Sequence, residues 1–421
     1  MAGDVLTQFP AVVTFDRYDD IRAALFDPNL SRSFDKRSYA EGNIRDGVVS
    51  ISHGPTHRAR RRVENSQFRP DVLRLYERDL FPDVMGRMLD RLIDVAQVDL
   101  YAVGELLSVV LASRRAGIEH DPDDLDQLRR LVHFVDVFSQ GSAILDAKDP
   151  DAVRDLVRAV YVEFERDFVR PAWDRRAAAI AAVARGDRGE ESLPHDILTV
   201  LLLHRADGQL ALEDDGRVVR EVATYLQGGT HTSGQTLVNT FDLVFSRPEP
   251  SLIVERLSTD RLYAQRAVHE TLRLRPTTPK IKRRAEAETT IAGRTIPKDA
   301  QVVLDAATAN LDEALFGPSP ETFDPDRQVA DGIPRWGLSF GAGPHQCPGR
   351  SVAGGFPVPA SFDADDEHVF GLVALMVGAM AARGIGPDPE RQPERDTRTE
   401  RFTRWRRYPV RFARTGAATT A

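Results

Sequence analysis

The first thirty residues combine a strand pattern with a helix pattern. Residues 12–30 predict a short strand followed by an amphipathic helix, in which Ile21, Ala24 and Leu25 share one face. The turn-forming sequence Asp27-Pro28-Asn29 then ends the helix.

Helical spacing of apolar residues dominates the chain as far as residue 240. We expect one helix after Pro55 and another from Pro70, with helical spacing kept over 72–95. The pattern over 99–240 is also mostly helical. Its interruptions lie at Pro122, Pro150, the charged segment 186–191 and Asp207-Gly208.

Strand patterns appear beyond Pro276. Residues 289–296 predict a hairpin and residues 301–304 a further strand. The other elements expected in this part are coil over 317–349, an apolar helix over 369–382 and a short strand over 408–412. The pattern therefore predicts a mostly α fold with small β-sheets. We expect a single domain over 1–414 and a disordered tail over 415–421.

Composition narrows the class of protein. The chain has 421 residues, of which 42% are hydrophobic and 29% charged, as is typical of water-soluble globular proteins. One cysteine, Cys347, excludes an intramolecular disulfide and any zinc site built from two thiolates of this chain. The net charge of −8 gives no overall attraction to nucleic acid or to an anionic membrane.

The sequence also bears on location. The first ten residues lack the charged and apolar regions of a secretory signal, and no apolar run approaches the length of a membrane span. We therefore expect a cytoplasmic protein without a membrane anchor.

The single cysteine lies in a glycine-rich frame, Phe340-Gly-Ala-Gly-Pro-His345-Gln-Cys347-Pro-Gly349-Arg350. Glycines let the backbone pass close to a bulky partner, and a thiolate can ligate a metal. A buried structural cysteine is the alternative. The frame resembles the haem-binding loop of the cytochrome P450 family, Phe-Gly-x-Gly-x-His-x-Cys-x-Gly, at every specified position.

The resemblance assigns roles to this loop. Cys347 would be the proximal thiolate ligand of haem iron, His345 would hydrogen-bond a haem propionate, and Phe340 would pack beside the thiolate. Gly349 would belong to the same cofactor-binding loop. The implied fold is the P450 fold, with haem b between a central helix and the cysteine loop.

Glu270 and Arg273 lie three residues apart in a predicted helix, so their side chains share a face. Alone, such a spacing is typical of a surface ion pair. Before Leu274-Arg275-Pro276 it resembles the family's Glu-x-x-Arg, a buried pair that supports the haem loop. The family's third partner is an arginine at the position of Thr322, which carries no charge; Arg327 is another common family position that would compensate.

Gly228, Gly229, His231 and Thr232 resemble the family's motif on the central helix above the haem. Thr232 would hydrogen-bond bound dioxygen, and the two glycines would leave room for it. His231 replaces the usual acid and would either relay protons as an imidazole or only contact solvent or a neighbouring helix. Local distortion of the helix by its hydroxyl side chains is the alternative reading of this segment.

Cationic side chains complete the expected haem site. His57 and Arg61 are four residues apart, share a helix face, and resemble the family's propionate ligands. A merely solvated basic face is the alternative. Arg283 would be a further propionate ligand, although Arg284 beside it competes for the role.

The sequence departs from the family after the cysteine. Gly354, Gly355, Pro357 and Pro359 should end the following helix early, so we expect an insertion over 354–368 on the proximal side, where the family's redox partners dock. The walls of the substrate pocket would come from segments spread along the chain. These are 35–52, 131–168, 225–232, 277–282 and 399–403.

The resemblance spans residues 12–412 and implies a soluble, bacterial-type monooxygenase. It would use dioxygen and electrons from a ferredoxin- or flavodoxin-type donor to oxidise a small organic molecule, in secondary metabolism. Three alternatives remain. One is a haem-thiolate enzyme that uses peroxide or catalyses coupling, nitration or rearrangement; the others are a non-catalytic haem sensor and a hydrolase with Cys347 as nucleophile.

Overall fold

Helices form most of the protein in the computed structural model. The structure describes residues 11–32, 44–93, 98–144, 147–205, 208, 210, 212–358, 367–396 and 404–413. The helices are α1 (Tyr18–Phe26), α2 (Gly54–Glu64), α3 (Pro70–Leu75), α4 (Phe81–Ile93), α5 (Leu100–Ala116), α6 (Leu125–Ser142), α7 (Pro150–Phe164), α8 (Arg170–Ala184), α9 (Ile197–Leu203), α10 (Asp215–Phe245), α11 (Pro250–Thr259), α12 (Arg261–Leu274), α13 (Ala306–Ala309), α14 (Glu313–Phe316), α15 (Arg350–Gly354) and α16 (Leu372–Ala381).

The strands are short and form small sheets. They are β1 (Val12–Phe15), β2 (Leu30–Ser31), β3 (Val98–Asp99), β4 (Lys280–Ala285), β5 (Thr289–Ile291), β6 (Arg294–Ile296), β7 (Gln301–Asp305), β8 (Ile385–Pro387), β9 (Glu394–Asp396), β10 (Arg404–Arg407) and β11 (Pro409–Phe412). One sheet has the order β1-β7-β4-β2, with β1 parallel to β7, and another has the order β3-β11-β8. β5 pairs with β6 and β9 with β10.

The predicted fold class is confirmed. The hairpin expected over 289–296 is β5–β6, and the apolar helix expected over 369–382 is α16. Residues 317–342 are coil and turn, as expected. The tail over 415–421 and residues 35–43 of the expected pocket segment 35–52 lie outside the described residues. The assignment of one domain stays a prediction.

Aspartates define where many of the helices begin. A carboxylate at the N-cap accepts a hydrogen bond from a free backbone N–H of the first turn, which water would otherwise satisfy. Such caps open α5, α6, α7, α9, α10 and α12, from Asp99, Asp124, Asp149, Asp196, Asp214 and Asp260. The chain's acidic residues therefore help to set the helix boundaries as well as the net charge.

The 31-residue helix α10 runs through the main apolar core and packs closely against α5. At the crossing, a Cβ added to Gly234 would lie 3.2 Å from Glu105 N and 3.2 Å from Gly104 C. A Cβ on Gly229 would lie 3.0 Å from Ala112 Cβ. Small residues thus bring the two backbones together, and this contact fixes the position of the central helix.

Among the described helices, none has both the length and the apolar character that would let it cross a bilayer.

Two glycine substitutions on α10 separate helix propensity from packing. Gly228→Ala places its Cβ where nothing lies within 4 Å, and alanine has the higher helix propensity. The free energy of unfolding should therefore rise by about 0.5–1 kcal/mol. Gly234→Ala forces backbone against backbone, so the free energy of unfolding should fall by about 1–3 kcal/mol instead. Chemical denaturation of both variants measures the difference, and equal effects would contradict the close crossing.

Candidate haem site

The loop that carries Cys347 is shaped by its own backbone hydrogen bonds. Cys347 N donates to Phe340 O at 2.9 Å, and Gly341 N donates to Leu338 O at 2.8 Å. Gly343 has φ 68°, and an added Cβ would lie 2.5 Å from Leu25 O, so glycine is required there. Gly349 differs, because its φ is −78° and an added Cβ would make only ordinary contact with Cys347 Sγ at 3.8 Å. The backbone at position 349 therefore does not itself demand glycine.

Burial raises the pKa of the Cys347 thiol, while the backbone N–H of Gly349 and the nearby Arg61 act in the opposite direction. A buried thiol becomes a thiolate when a cation stabilises it. The loop thus holds a sulfur atom whose charged form would be stabilised by a metal ion.

Imidazoles and guanidinium groups lie beside the cysteine loop. The rings of His57 and His345 stack with centroids 4.0 Å apart, and Arg61 Nη2 donates to Gln346 O at 3.0 Å. Burial and the charge of Arg61 lower the pKa of His57 to about 4. Burial, with His57 and Arg283, lowers the pKa of His345 to about 2. Burial is the larger cause of both pKa shifts, and the smaller contributions of the neighbouring Arg61 and Arg283 come from positive charge that favours an anion.

The structure distinguishes Arg283 from its neighbour. Arg283 is buried on β4 and acts electrostatically on His345. Arg284 forms an ion pair with Asp299. Of the two candidates, Arg283 is the one placed at the site.

Glu270 and Arg273 form a buried pair on α12. Arg273 donates from Nε to Glu270 Oε2 at 2.8 Å and from Nη2 to Glu270 Oε1 at 2.6 Å. Its Nη1 also donates to Asn310 O at 2.8 Å. The surface-pair alternative is therefore wrong, since the Arg273 side chain is fully buried.

Arg327 supplies the charge that Thr322 lacks. Its Nε donates to Glu270 Oε1 at 3.0 Å, and its other nitrogens donate to backbone carbonyls. These are the carbonyls of Phe316, Pro318, Ser319 and Thr322. Thr322 takes part only as an acceptor, and the long guanidinium side chain reaches Glu270 from five residues further along the chain.

The buried ion network leads to the cysteine loop through Asn310. Asn310 Nδ2 donates to Arg273 O at 3.1 Å, and its Oδ1 accepts from Leu338 N at 2.8 Å. Ser339 Oγ donates to Leu272 O at 2.6 Å. Phe340 packs edge-on against Trp336, with ring centroids 5.4 Å apart. Helix α12 thus positions the segment from which the cysteine loop departs.

Helix α10 carries an open face at Gly228 and Thr232. No atom lies within 4 Å of a Cβ added to Gly228, and the exposed Thr232 donates its hydroxyl to Gly228 O at 2.7 Å. Gly229 does not border this space, because it faces Ala112 of α5. The expectation that both glycines leave room for a ligand is therefore wrong for Gly229, whose role is close helix packing.

His231 points away from the open face. It is buried, and its Nδ1 hydrogen-bonds to Oε1 of Glu105 on α5. Tyr101 OH also donates to that oxygen, at 2.8 Å. His231 Nε2 is buried without a hydrogen-bond partner among the described residues. Contact with a neighbouring helix is the observed arrangement, and a proton relay through His231 stays a prediction.

Sequence reasoning missed a second polar cluster, at the junction of α2 and α10. Arg60, Glu64 and Glu221 are buried there with the phenol of Tyr225, which donates to Glu64 Oε2 at 2.6 Å. The spacing of Arg60 and Glu64 was the available signal. From the sequence alone, Arg60 and Glu64 are expected on the basic, solvated side of α2, because nothing in the sequence pairs them with Glu221.

Helix α15 ends at Gly354, as expected for an insertion. Phe356 N donates to Val369 O at 2.8 Å, and Gln265 Nε2 donates to the carbonyls of Gly354 and Phe356 at 2.9 Å each. The described residues on the two sides of this segment therefore meet beside Gln265 of α12. Residues 359–366 lie outside the described part, as do residues 399–403 of the expected pocket.

Comparisons with known proteins agree with this geometry. A sequence model of the Cytochrome P450 family matches residues 251–354, which hold both Glu270-x-x-Arg273 and the cysteine loop. Cyclooctat-9-en-7-ol 5-monooxygenase of Streptomyces melanosporofaciens is 27% identical over 361 residues, 79% of this chain and 74% of that protein. The chain belongs to the cytochrome P450 family.

Other P450 relatives are similar over comparable lengths. Erythromycin C-12 hydroxylase of Saccharopolyspora erythraea is 27% identical over 341 residues, covering 80% of this P450 and 77% of that protein. The crystal structure of CalO2 matches with a TM-score of 0.72 at 20% identity, covering 95% of this chain and 90% of that one. The structure of HmtT, involved in himastatin biosynthesis, also has a TM-score of 0.72, at 22% identity, covering 95% and 91%. The chain is a P450 monooxygenase, for which haem iron is the cofactor.

The residues around Cys347 fit that cofactor. The Cys347 sulfur would hold the iron atom of a haem. The charged Arg61 and Arg283, with the neutral, hydrogen-bonding imidazoles of His57 and His345, would hold its two propionate carboxylates. The chemistry of this donor set matches both groups.

Removal of Arg327 tests the buried network of this P450. Arg327→Ala should lower the free energy of unfolding by about 3–5 kcal/mol, because Glu270 loses a buried partner and several carbonyls lose their donor. Arg129→Ala is the control, because the ion pair of Arg129 with Asp126 is exposed. This substitution should lower the free energy of unfolding by about 1 kcal/mol or less. Urea denaturation measures both. Equal effects would contradict the structural role of Arg327.

Proposed function

We propose that this P450 binds haem b through Cys347 and inserts one oxygen atom of dioxygen into a small organic substrate, RH + O₂ + 2e⁻ + 2H⁺ → ROH + H₂O. The observation that carries the proposal is the half-buried Cys347 thiol in a loop flanked by cationic groups. The two relatives named as a hydroxylase and a monooxygenase support the type of reaction.

Cys347 would ligate the iron, and His57, Arg61, Arg283 and His345 would hold the propionates. The neutral imidazoles act as hydrogen-bond donors or acceptors, while the guanidinium groups provide charge. When bound, the haem supplies dioxygen activation at iron, which a thiolate ligand favours. Glu270, Arg273 and Arg327 would act indirectly, because they hold the backbone from which the loop departs.

Thr232 and Gly228 would line the reaction space. The Thr232 hydroxyl donates to Gly228 O and can rotate toward a ligand on the open face. Gly228 lets that ligand approach the helix backbone, because it has no side chain.

Substrate class, pathway and electron donor belong to the proposal as well. A small product of bacterial secondary metabolism fits the names of the matched relatives. A ferredoxin- or flavodoxin-type protein would supply the two electrons.

Thiolate ligation of haem gives a direct spectroscopic test. The reduced protein with carbon monoxide should show the long-wavelength Soret band typical of the family, and Cys347→Ala should lose it. Because Cys347 is the only thiol, alkylation gives a second readout: the haem-loaded protein should resist the reagent and the haem-free protein should react. A haem-loaded protein that lacks the band would refute the proposal, as would a freely alkylated Cys347.

A peroxide-driven reaction is the second candidate, favoured by His231. At the position of the family's usual acid, α10 carries an imidazole that is bonded to Glu105 and turned away from the open face. Peroxide brings its own protons and electrons, so such an enzyme depends less on proton delivery. Conversion with peroxide alone would support this candidate, and conversion only with a reductase would exclude it.

Thr232→Ala separates an oxygenase from a sensor. Loss of the hydroxyl should lower the fraction of consumed electrons recovered as product by about tenfold, equivalent to about 1.4 kcal/mol. Thr232→Ser should retain coupling, since it keeps the donor. The ratio of product to oxidised electron donor measures the effect, and unchanged behaviour of Thr232→Ala would favour the sensor.

A further inference from the structure

A buried cluster with more negative than positive groups lies where α2 meets α10. It contains Arg60, Glu64 and Glu221, which are 2%, 1% and 0% exposed, and the phenol of Tyr225. Arg60 forms an ion pair with Glu221, and its Nε lies 3.4 Å from Glu64 Oε1. One guanidinium group therefore serves two buried carboxyl groups.

A proton on Glu64 offsets the excess of negative charge in this cluster. Burial, followed by repulsion from Glu221, raises the pKa of Glu64 to about 8, while Arg60, the Tyr225 hydrogen bond and Arg61 act in the opposite direction. Burial also raises the pKa of Tyr225, so the phenol keeps its proton. At neutral pH the cluster then holds a neutral Glu64 and one ion pair, Arg60–Glu221, which avoids a second buried negative charge.

The same ion pair holds the segment that precedes α2. Val49 N donates to Glu221 Oε2 at 2.9 Å, and Arg60 Nη1 donates to Gly47 O. Arg220 Nε donates to Asp46 O at 2.7 Å. Residues 44–52, here called the α2 leader, are thus tied by their backbone to α2 and α10.

The cluster continues the open face of α10. Glu221, Tyr225, Gly228 and Thr232 follow one another at intervals of four, three and four residues, so they lie along one side of the helix. Glu64 is on the side of α2 that carries His57 and Arg61, by the same spacing. The α2 leader is therefore fastened at the end of the face that carries Gly228 and Thr232.

We propose that Arg60 and Glu221 are positioning residues that hold the α2 leader as a wall of the substrate pocket, and that a proton on Glu64 keeps this wall in place. The proposal rests on the proposed function in one respect, namely that the pocket lies over Gly228 and Thr232.

Loss of the proton weakens the wall. An ionised Glu64 competes with Glu221 for Arg60 and adds a second negative charge to a buried site, so the contacts to Gly47 and Val49 loosen. Because the folded-state pKa of Glu64 lies above its usual value, the folded chain binds a proton that the unfolded chain has released. This contribution to stability therefore declines as pH rises from about 4.5 to about 8 and stays low above that.

Hydrogen exchange of the α2 leader tests the proposal without any turnover. Exchange rates are first corrected for intrinsic base catalysis. In the wild-type protein, the backbone amides of residues 44–52 should then exchange faster at pH 9 than at pH 7. In Glu64→Gln they should exchange at the same rate at both pH values. In Glu221→Gln the same amides should exchange fast at both pH values, since Val49 N and Arg60 lose their charged partner. Glu255→Gln, an exposed carboxyl on α11, is the matched control and should follow wild type.

Binding of phenylimidazole to the haem-loaded protein connects the leader to the pocket. For wild type, the dissociation constant should rise between pH 7.5 and pH 9 by up to about tenfold per unit above the pKa of Glu64. For Glu64→Gln it should stay constant. If Glu64→Gln does not fold, Tyr225→Phe replaces it: removal of a hydrogen bond that lowers the pKa of Glu64 should shift the transition to higher pH.

The two readouts distinguish failure of this proposal from failure of the proposed function. The same pH dependence of exchange in wild type and Glu64→Gln, or no shift in Tyr225→Phe, would overturn the proton-dependent wall. If hydrogen exchange responds to pH as expected but phenylimidazole affinity does not, the α2 leader is not a wall of the substrate pocket. Absence of the thiolate Soret band would instead refute the proposed function and leave the exchange result standing.

Discussion

The carboxylate of Glu270 is the point on which the rest of the site depends. It binds two buried guanidinium groups, Arg273 and Arg327, and each of these also holds backbone carbonyls of the coil after α14. Coil of this kind has few hydrogen bonds of its own, so charged side chains supply them. Through Asn310 and Ser339 the same network reaches the segment before Cys347, and it gives an irregular loop the rigidity that the proposed ligation of haem iron would require.

A second constraint comes from the close packing of α5 and α10. Glycine at 104 and 234 lets the backbones approach, and this crossing brings Glu105 to His231 and Ala112 to Gly229. The open face of α10 lies on another side, where Gly228 and Thr232 have no such neighbour. Different sides of α10 therefore have different roles. One side packs against α5, and another leaves space for a ligand.

Polar burial in this P450 is unevenly balanced. The Glu270 network has two cations for one anion and satisfies the excess with carbonyl oxygens, whereas the Glu64–Glu221 cluster has two carboxyl groups for one cation. The first arrangement pairs its single carboxylate directly with both cations. The second depends on a proton, because no further donor with a full charge lies within hydrogen-bonding reach of Glu64 in the part of the chain that the structure describes. The two clusters accordingly support different parts of the molecule, one rigid and one able to respond.

The amino-acid sequence alone was enough to indicate the family, through the frame around Cys347, together with the Glu270–Arg273 spacing and the helical fold class. Each of these depends on residues close together in the chain, where spacing dictates which side chains share a face or a turn. Contacts between distant elements were needed to show that Arg327 compensates for Thr322, that Gly229 serves packing and that His231 faces Glu105. They also showed that Arg283, and not Arg284, lies beside His345. These outcomes depend on which elements lie next to each other, and Glu221 meets Arg60 across 161 residues. A contact of that kind leaves no periodic pattern, because it is set by helix crossing and not by local spacing.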